Sequence, residues 1–241
     1  MIPSKPRLIV ALDVDSLEEA RELIDTLSPL VDIFKVGSQL FTACGPAAVR
    51  FIVARGKKVF LDLKYHDIPN TVANAVSCAV SLASIARENQ QGIFMYTLHT
   101  AGGLAMLKQS VEAGIKRAQE LKVAKPLVLG ITVLTSEEKI DNMHTVVLQR
   151  ASLAKQAGLD GVVASVQEAR FIRQQFGSDF IIVTPGIRPK GEAAGDQQRV
   201  ATPADAVLGG SNYLVVGRPI IKAKDPLSAT KNILEEITGV Q

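Results

Sequence analysis

Three charged side chains in the stretch Lys58 to Thr71 have the types and spacing for proton chemistry: Asp62, Lys64 and Asp67. Val59 to Leu63 is a short apolar run of the kind that forms a strand buried on both faces, yet an acid, a base and another acid mark its end. Side chains alternate along a strand, so Asp62 and Lys64 face one way while Leu61 and Leu63 face the other. Two carboxylates about one ammonium favour its charged form, and a lysine held in that form is a proton donor. The same residues also admit a structural reading, in which Asp62 and Lys64 are an ion pair and Asp67 sits near a helix N-terminus, where acids are favoured. Ile68 and Pro69 end the extended run, and Pro at a first helical position suits the helix that Val72 to Val76 begins.

Holding such residues in place takes a scaffold, and the rest of the chain supplies its parts. Apolar strand-like runs recur at Leu8 to Leu12, Ile33 to Val36, Val59 to Leu63, Ile93 to Leu98, Leu127 to Val133, Gly161 to Ala164, Phe180 to Val183 and Tyr213 to Val216, with helical stretches between them. Eight such runs in 241 residues predict an α/β fold closed as a (β/α)8 TIM barrel, which needs about 250 residues. Nothing Pro/Gly-rich or of low complexity divides the chain, so a single domain over 1–241 is expected. Helix starts are signalled by a capping box at Ser16 to Glu19 and by Thr202-Pro203 and Asp225-Pro226.

The net charge of +3 is small and evenly scattered, which argues against nucleic acid but suits a small anionic ligand. Apolar runs fall well short of the roughly eighteen residues of a membrane span. Leu8 to Leu12 is too short for a signal-peptide core and runs straight into Asp13. Cys44 and Cys78 have no metal or redox spacing, so free thiols in a cytoplasmic protein are expected.

Polar residues gather where the strand runs end: Asp13 after the first, Lys35 within the second, Asp62 and Lys64 at the third, His99 at the fourth, Thr132 and Thr135 at the fifth, Ser165 at the sixth, Thr184 at the seventh and Arg218 at the eighth. In an eight-stranded barrel those ends form the active-site face. Lys35 in a buried strand needs an acid partner, and Asp13 and Asp62 on adjoining strands are the candidates. Asp13 also reads as a turn or cap before the helix at Ser16. His99, beside Gly102 and Gly103, reads as a satisfied histidine at a turn rather than a catalytic one. Thr135 stands three residues before Glu138, in capping-box spacing. Lys190 to Gln198 reads as a mobile lid or a plain surface loop, with Gln197 and Arg199 at its far edge. Gly217 lets a backbone N–H approach an anion, and the Arg218 guanidinium binds phosphate as a fork. Barrels often build phosphate sites after strands seven and eight, where Arg188, Gln197, Gly217 and Arg218 lie.

Asp62 to Asp67 followed by Ile68, Pro69 and Thr71 resembles the hallmark of the orotidine 5′-phosphate decarboxylase family, Asp-x-Lys-x-x-Asp then Ile-Pro-x-Thr. The likeness runs in order through Ala11-Leu12-Asp13, Asp62 to Thr71, Thr184 to Arg188 and Gly217-Arg218; the polar stretch Ala86 to Tyr96 departs from it. The resemblance implies decarboxylation of orotidine monophosphate to UMP without cofactor or metal. It places Lys64 as the proton donor to C6 and Asp62 against the substrate carboxylate. Asp13 and Lys35 would hold the ribose hydroxyls, Thr135 the pyrimidine, and Arg188 another part of the substrate, with Gln197 on a closing loop near the phosphate. It also implies a homodimer in which Asp67, Ile68 and Thr71 enter the partner's site. Three other readings stay open: a metal-dependent sugar-phosphate decarboxylase sharing the Asp-x-Lys-x-x-Asp core, a Schiff-base aldolase, and a nucleotide-binding module without catalysis.

Overall fold

The apolar runs become eight parallel strands: β1 (Arg7–Ala11), β2 (Ile33–Gly37), β3 (Lys58–Tyr65), β4 (Ile93–His99), β5 (Leu127–Ile131), β6 (Gly161–Val163), β7 (Ile181–Thr184) and β8 (Tyr213–Val216). Each pairs with the next, and β8 returns to β1 to close the barrel. The structure, a computed structural model, describes residues 7–82, 93–135, 142–189 and 201–240. Helices α1 (Leu17–Leu27), α2 (Ser38–Cys44), α3 (Pro46–Ala54), α4 (Pro69–Ser81), α5 (Gly103–Leu121), α6 (Met143–Gln156), α7 (Val166–Phe176), α8 (Pro203–Leu208), α9 (Arg218–Ile221) and α10 (Pro226–Gly239) alternate with the strands. None is long and apolar enough to cross a membrane among the described residues.

Strand alternation sorts the apolar residues into two cores. Ile9, Ala11, Ile33, Phe60, Leu129, Val183 and Val215 fill the barrel interior. Their neighbours Val10, Phe34, Leu61, Leu98, Val162 and Leu214 pack outward beneath the helices. Burial of each such aliphatic or aromatic side chain stabilises the fold by about 1.5–3 kcal/mol, and every strand draws on both faces.

Helix starts follow local hydrogen-bond chemistry. Pro69, Pro203 and Pro226 each begin a helix, where a missing N–H costs nothing. Asp225 accepts from Ser228 N–H at 3.0 Å, and Thr202 forms a full capping box with Asp205. At Ser16 the expected box is only half made. Its hydroxyl accepts from Glu19 N–H at 3.1 Å, but the Glu19 carboxylate takes the N–H of Asp15, one residue earlier, at 3.4 Å. Ser165 and Glu168 form a further capping box, with the Ser-x-x-Glu spacing of that motif.

The ladder is irregular at one functional place. Leu61 lies opposite Tyr96, and the next pair in register is Tyr65 with Leu98, so β3 uses four residues where β4 uses two. Two extra residues preserve parity, which keeps Leu63 and Tyr65 against the outer core and Asp62 and Lys64 inward. Lys64 takes up the bulge with φ +50°, in the left-handed region. The polar stretch Ala86 to Tyr96 lies outside the described residues up to Gly92, and from Ile93 onward it is β4.

Outward from β4, the Tyr96 hydroxyl is buried with no hydrogen-bond partner among the described residues. It fits because Gly114 of α5 has no side chain; a Cβ there would come within 2.7 Å of the hydroxyl oxygen. Burial pushes the Tyr96 phenol well above its ordinary value and that of Tyr65 up to about 12. An unpaired buried hydroxyl costs about 1–3 kcal/mol. Tyr96→Phe is therefore expected to raise stability by about 1 kcal/mol, which is a Tm gain of about 2–4 °C in a chain of this size by calorimetry. A lower Tm would mean that an ordered water satisfies the hydroxyl.

Candidate active site

The inward parity that fills the barrel with aliphatic side chains changes to polar residues at the C-terminal strand ends. A cavity of about 520 Å³ opens there. Asp13, Lys35, Asp62, Lys64, Thr135, Arg188, Gly217 and Arg218 all line it, so these sequence candidates come together from six strands and the loops that follow them.

Two ion pairs organise its floor. Lys35 Nζ donates to Asp13 Oδ1 at 2.9 Å, which settles the acid partner between the two candidates. The pair is asymmetric, because the Lys35 side chain is 11% exposed and that of Asp13 44%. Register explains the contact. Gly37 lies level with Asp62, and the space its side chain would fill holds the Lys35 ammonium, which a Cβ there would approach to 2.7 Å. On the other flank, a Cβ at Gly217 would lie 3.4 Å from Asp13 Oδ2. Glycine on both sides lets the pair sit between strands.

The second pair is Lys64 Nζ donating to Asp62 Oδ2 at 2.8 Å. Asp62 is nearly buried, and its other oxygen, Oδ1, accepts from the Thr97 hydroxyl at 3.0 Å. Thr97 Oγ1 in turn accepts from the Lys64 backbone N–H at 2.9 Å. Thr97 was missed in the sequence; the available signal was a lone hydroxyl at inward parity inside the apolar run Ile93 to Leu98. Also unforeseen at the cavity rim are Asp15, which accepts from Gln39 Nε2 at 2.7 Å, and Lys222, four residues beyond Arg218. Among the described residues no group of three or more His, Cys, Asp and Glu side chains could hold a metal ion.

Asp67 does not join Lys64 within the chain. Its carboxylate is exposed and accepts from the Ile68 N–H at 2.6 Å. Ile68 is 67% exposed, unusual for a large apolar side chain, and neither it nor Thr71 lines the cavity. The expected acid–base–acid bracket is thus an acid–base pair plus an outward-facing acid. The physical reason is that the chain has left the strand after Tyr65, so alternation no longer aims Asp67 inward.

Several strand-end polar residues serve the scaffold instead. Thr132 donates to Val163 C=O at 2.9 Å, Thr184 shares a 2.6 Å hydrogen bond with Ser211, and Ser165 caps α7. His99 accepts the Ala101 N–H at 3.2 Å on Nδ1 and stacks on His66 at 5.2 Å, in keeping with a histidine satisfied at a turn. Arg188 is buried, with its guanidinium donating to Ile187 C=O at 2.8 Å. Arg188 N–H donates to Ala201 C=O at 2.9 Å and Ala201 N–H to Gly186 C=O at 3.3 Å, which joins the points where segment 190–200 leaves and rejoins the barrel. Gln197, Arg199 and the expected lid Lys190 to Gln198 lie outside the described residues, as does Glu138, the expected capping partner of Thr135.

The chain has relatives among known proteins. Residues 6–233 match the family described as Orotidine 5'-phosphate decarboxylase / HUMPS. The chain is 47% identical to the orotidine 5'-phosphate decarboxylase of Moorella thermoacetica, over 99% of this chain and 94% of that one. It is 48% identical to that of Geobacter metallireducens, over 98% of both. Among solved structures, orotidine 5'-phosphate decarboxylase from Lactobacillus acidophilus superposes with a TM-score of 0.79 at 36% identity, covering 97% of this chain and 99% of that one.

The asymmetry of the Lys35–Asp13 pair makes the two ends unequal on mutation. Losing Asp13 strands a buried ammonium, whereas losing Lys35 leaves a carboxylate that water can reach. Asp13→Ala is expected to destabilise the protein by about 1–3 kcal/mol more than Lys35→Met in urea unfolding. Equal losses would mean that Asp62 takes over the Lys35 ammonium.

Proposed function

We infer that this chain, which belongs to the orotidine 5′-phosphate decarboxylase / HUMPS family, converts orotidine 5′-monophosphate to UMP and carbon dioxide without a cofactor or metal. The observation that carries this reading is the Lys64 ammonium held 2.8 Å from Asp62 in a cavity whose far side carries Arg188 and Arg218. In the reaction the bond from C6 to the carboxylate breaks and carbon dioxide leaves. The electron pair stays on C6, in the ring plane, where the pyrimidine carbonyls cannot delocalise it directly. A fixed positive charge beside C6 stabilises that pair as it develops. A proton then passes from Lys64 Nζ to C6 to give UMP, and the neutral amine takes a proton back from solvent. Asp62 faces the substrate carboxylate and disfavours it relative to the transition state, a smaller contribution than the preorganised ammonium.

Asp13 and Lys35 hold the ribose hydroxyls, and Thr135 meets the pyrimidine. Arg188, Gln197, Gly217 and Arg218 take the phosphate end, whose binding energy is available to order the reacting end. The Lys64–Asp62 contact speaks against an aldolase, since a Schiff base needs a neutral amine and a carboxylate neighbour opposes one. It also speaks against the metal-dependent rival, because an ammonium already occupies the place beside Asp62 where a divalent ion would bind. A cytoplasmic setting, with Cys44 and Cys78 as free thiols, belongs to the same reading.

The test is to follow the loss of orotidine monophosphate absorbance with purified protein. Turnover is expected to survive exhaustive EDTA treatment. Lys64→Ala is expected to lower kcat by several orders of magnitude while UMP binding weakens far less, and Arg218→Ala to act mainly on KM. Magnesium-dependent turnover would move the reading to the metal-dependent rival, and unaltered substrate would leave a binding module.

The working unit in this reading is a homodimer whose two sites are shared, with Asp67, Ile68 and Thr71 completing the partner's site. Exposed Ile68 and the outward Asp67 support it. Lys64→Ala and Asp67→Asn should each be nearly inactive alone. Subunit exchange between them rebuilds one intact site per mixed dimer, so roughly a quarter of wild-type activity is expected to return. Proven mixed dimers without recovery would mean that Asp67 serves its own chain.

A further inference from the structure

The Lys64–Asp62 contact is made where the β3–β4 ladder slips by two residues. From Leu61 to Tyr65, β3 runs four residues while β4 runs two, from Tyr96 to Leu98. Thr97 is therefore the single β4 residue facing Asp62, Leu63 and Lys64. It is fully buried, and its hydroxyl is used in both directions. As donor it holds Asp62 Oδ1 at 3.0 Å, and as acceptor it takes the Lys64 N–H at 2.9 Å.

Both bonds bear on the reacting groups. A carboxylate with one oxygen fixed by Thr97 presents the other, Oδ2, to the Lys64 ammonium in a set direction. The bond to the Lys64 N–H supplies the acceptor that the interrupted ladder lacks, and so holds Lys64 at φ +50°, a conformation that residues with a side chain seldom adopt. Regular pairing would set Leu63 rather than Tyr65 opposite Leu98 and shift Lys64 by two residues, roughly 7 Å along the strand.

We propose that Thr97 is a positioning residue of the decarboxylation: through its one hydroxyl it fixes both the Asp62 carboxylate and the Lys64 backbone, and thereby aims the ammonium at C6. The proposal rests on the functional reading above. A hydroxyl that touches neither ribose nor phosphate acts on the reacting end alone, so its loss falls on kcat and spares binding of the rest of the nucleotide.

The experiment compares Thr97→Val, which keeps the branched shape and removes the hydroxyl, with Thr97→Ser, which keeps the hydroxyl. Thr97→Val is expected to lower kcat by about 10- to 100-fold, the scale of a misplacement near 1 Å, with KM and UMP affinity within about threefold of wild type. A UMP analogue carrying an oxyanion at C6 should lose affinity in parallel with kcat, which a merely structural role would not produce. Thr97→Ser should stay within about threefold of wild type in kcat. Wild-type kcat in Thr97→Val, or equal losses of kcat and UMP affinity in it, overturns the proposal. So does a tenfold or greater kcat loss in Thr97→Ser, which decides the matter alone if Thr97→Val does not fold. Absence of turnover in the wild-type protein overturns the functional reading itself, a result distinct from all of these.

Discussion

A lysine held in the left-handed region at the end of a parallel strand is the constraint on which the site depends. For a residue with a side chain that conformation costs about 1–2 kcal/mol, and it persists only where the surroundings over-determine it. Here they do so through two bonds: the Lys64 N–H to Thr97 Oγ1 at 2.9 Å and the Lys64 ammonium to Asp62 Oδ2 at 2.8 Å. The two interactions support each other. The backbone bond places the ammonium beside the carboxylate, and the ammonium compensates a carboxylate that burial would otherwise penalise. Leu63 and Tyr65, packed on the outer core, hold the far side of the same bulge.

The remaining charges are distributed around that centre in a way set by barrel order. Acids come from β3 and from the loop and helix after β1, and lysines from β2, β3 and the end of α9, whereas Arg188 follows β7 and Arg218 follows β8. Closure of β8 onto β1 brings Gly217 against Asp13, so the arginine sector and the Lys35–Asp13 pair share one wall. The arginines and Lys64 thus line one cavity from opposite parts of the strand order, after β7 and β8 on one side and on β3 on the other.

Strand ends carry polar residues for two separate reasons, and both operate here. Inward positions face the cavity. At outward positions and in the loops, Thr132, Ser165 and Thr184 close backbone and side-chain hydrogen bonds that hold the rim together. The Thr132 hydroxyl adds to the bond that its own N–H makes to Val163 C=O just where β5 ends, and Ser165 starts α7 directly beyond β6. The rim that positions the site is thus built from the same residue types as the site.

Local chemistry in the sequence was enough to determine the eight strands, the Pro-led helix starts, the barrel class and the main charged residues of the cavity. Each of those depends on spacing within a few residues: period-two alternation, a cap three residues before its partner, an acid two residues before a base. Lys35 was recognisable as needing an acid because an unpaired buried ammonium is costly whatever the fold. The choice of Asp13 over Asp62 came only with strand register and with the empty side-chain space at Gly37. The loop beyond β5 brings Thr135 to the cavity, whereas Thr132 and Thr184 are taken up by hydrogen bonds within the scaffold. Asp67 turned outward because the strand had already ended, and Thr97 gained its place from a two-residue slip between β3 and β4. Those outcomes are relations between strands distant in the chain, and closure of the barrel fixes them through hydrogen-bond register, which residue spacing along one strand does not encode.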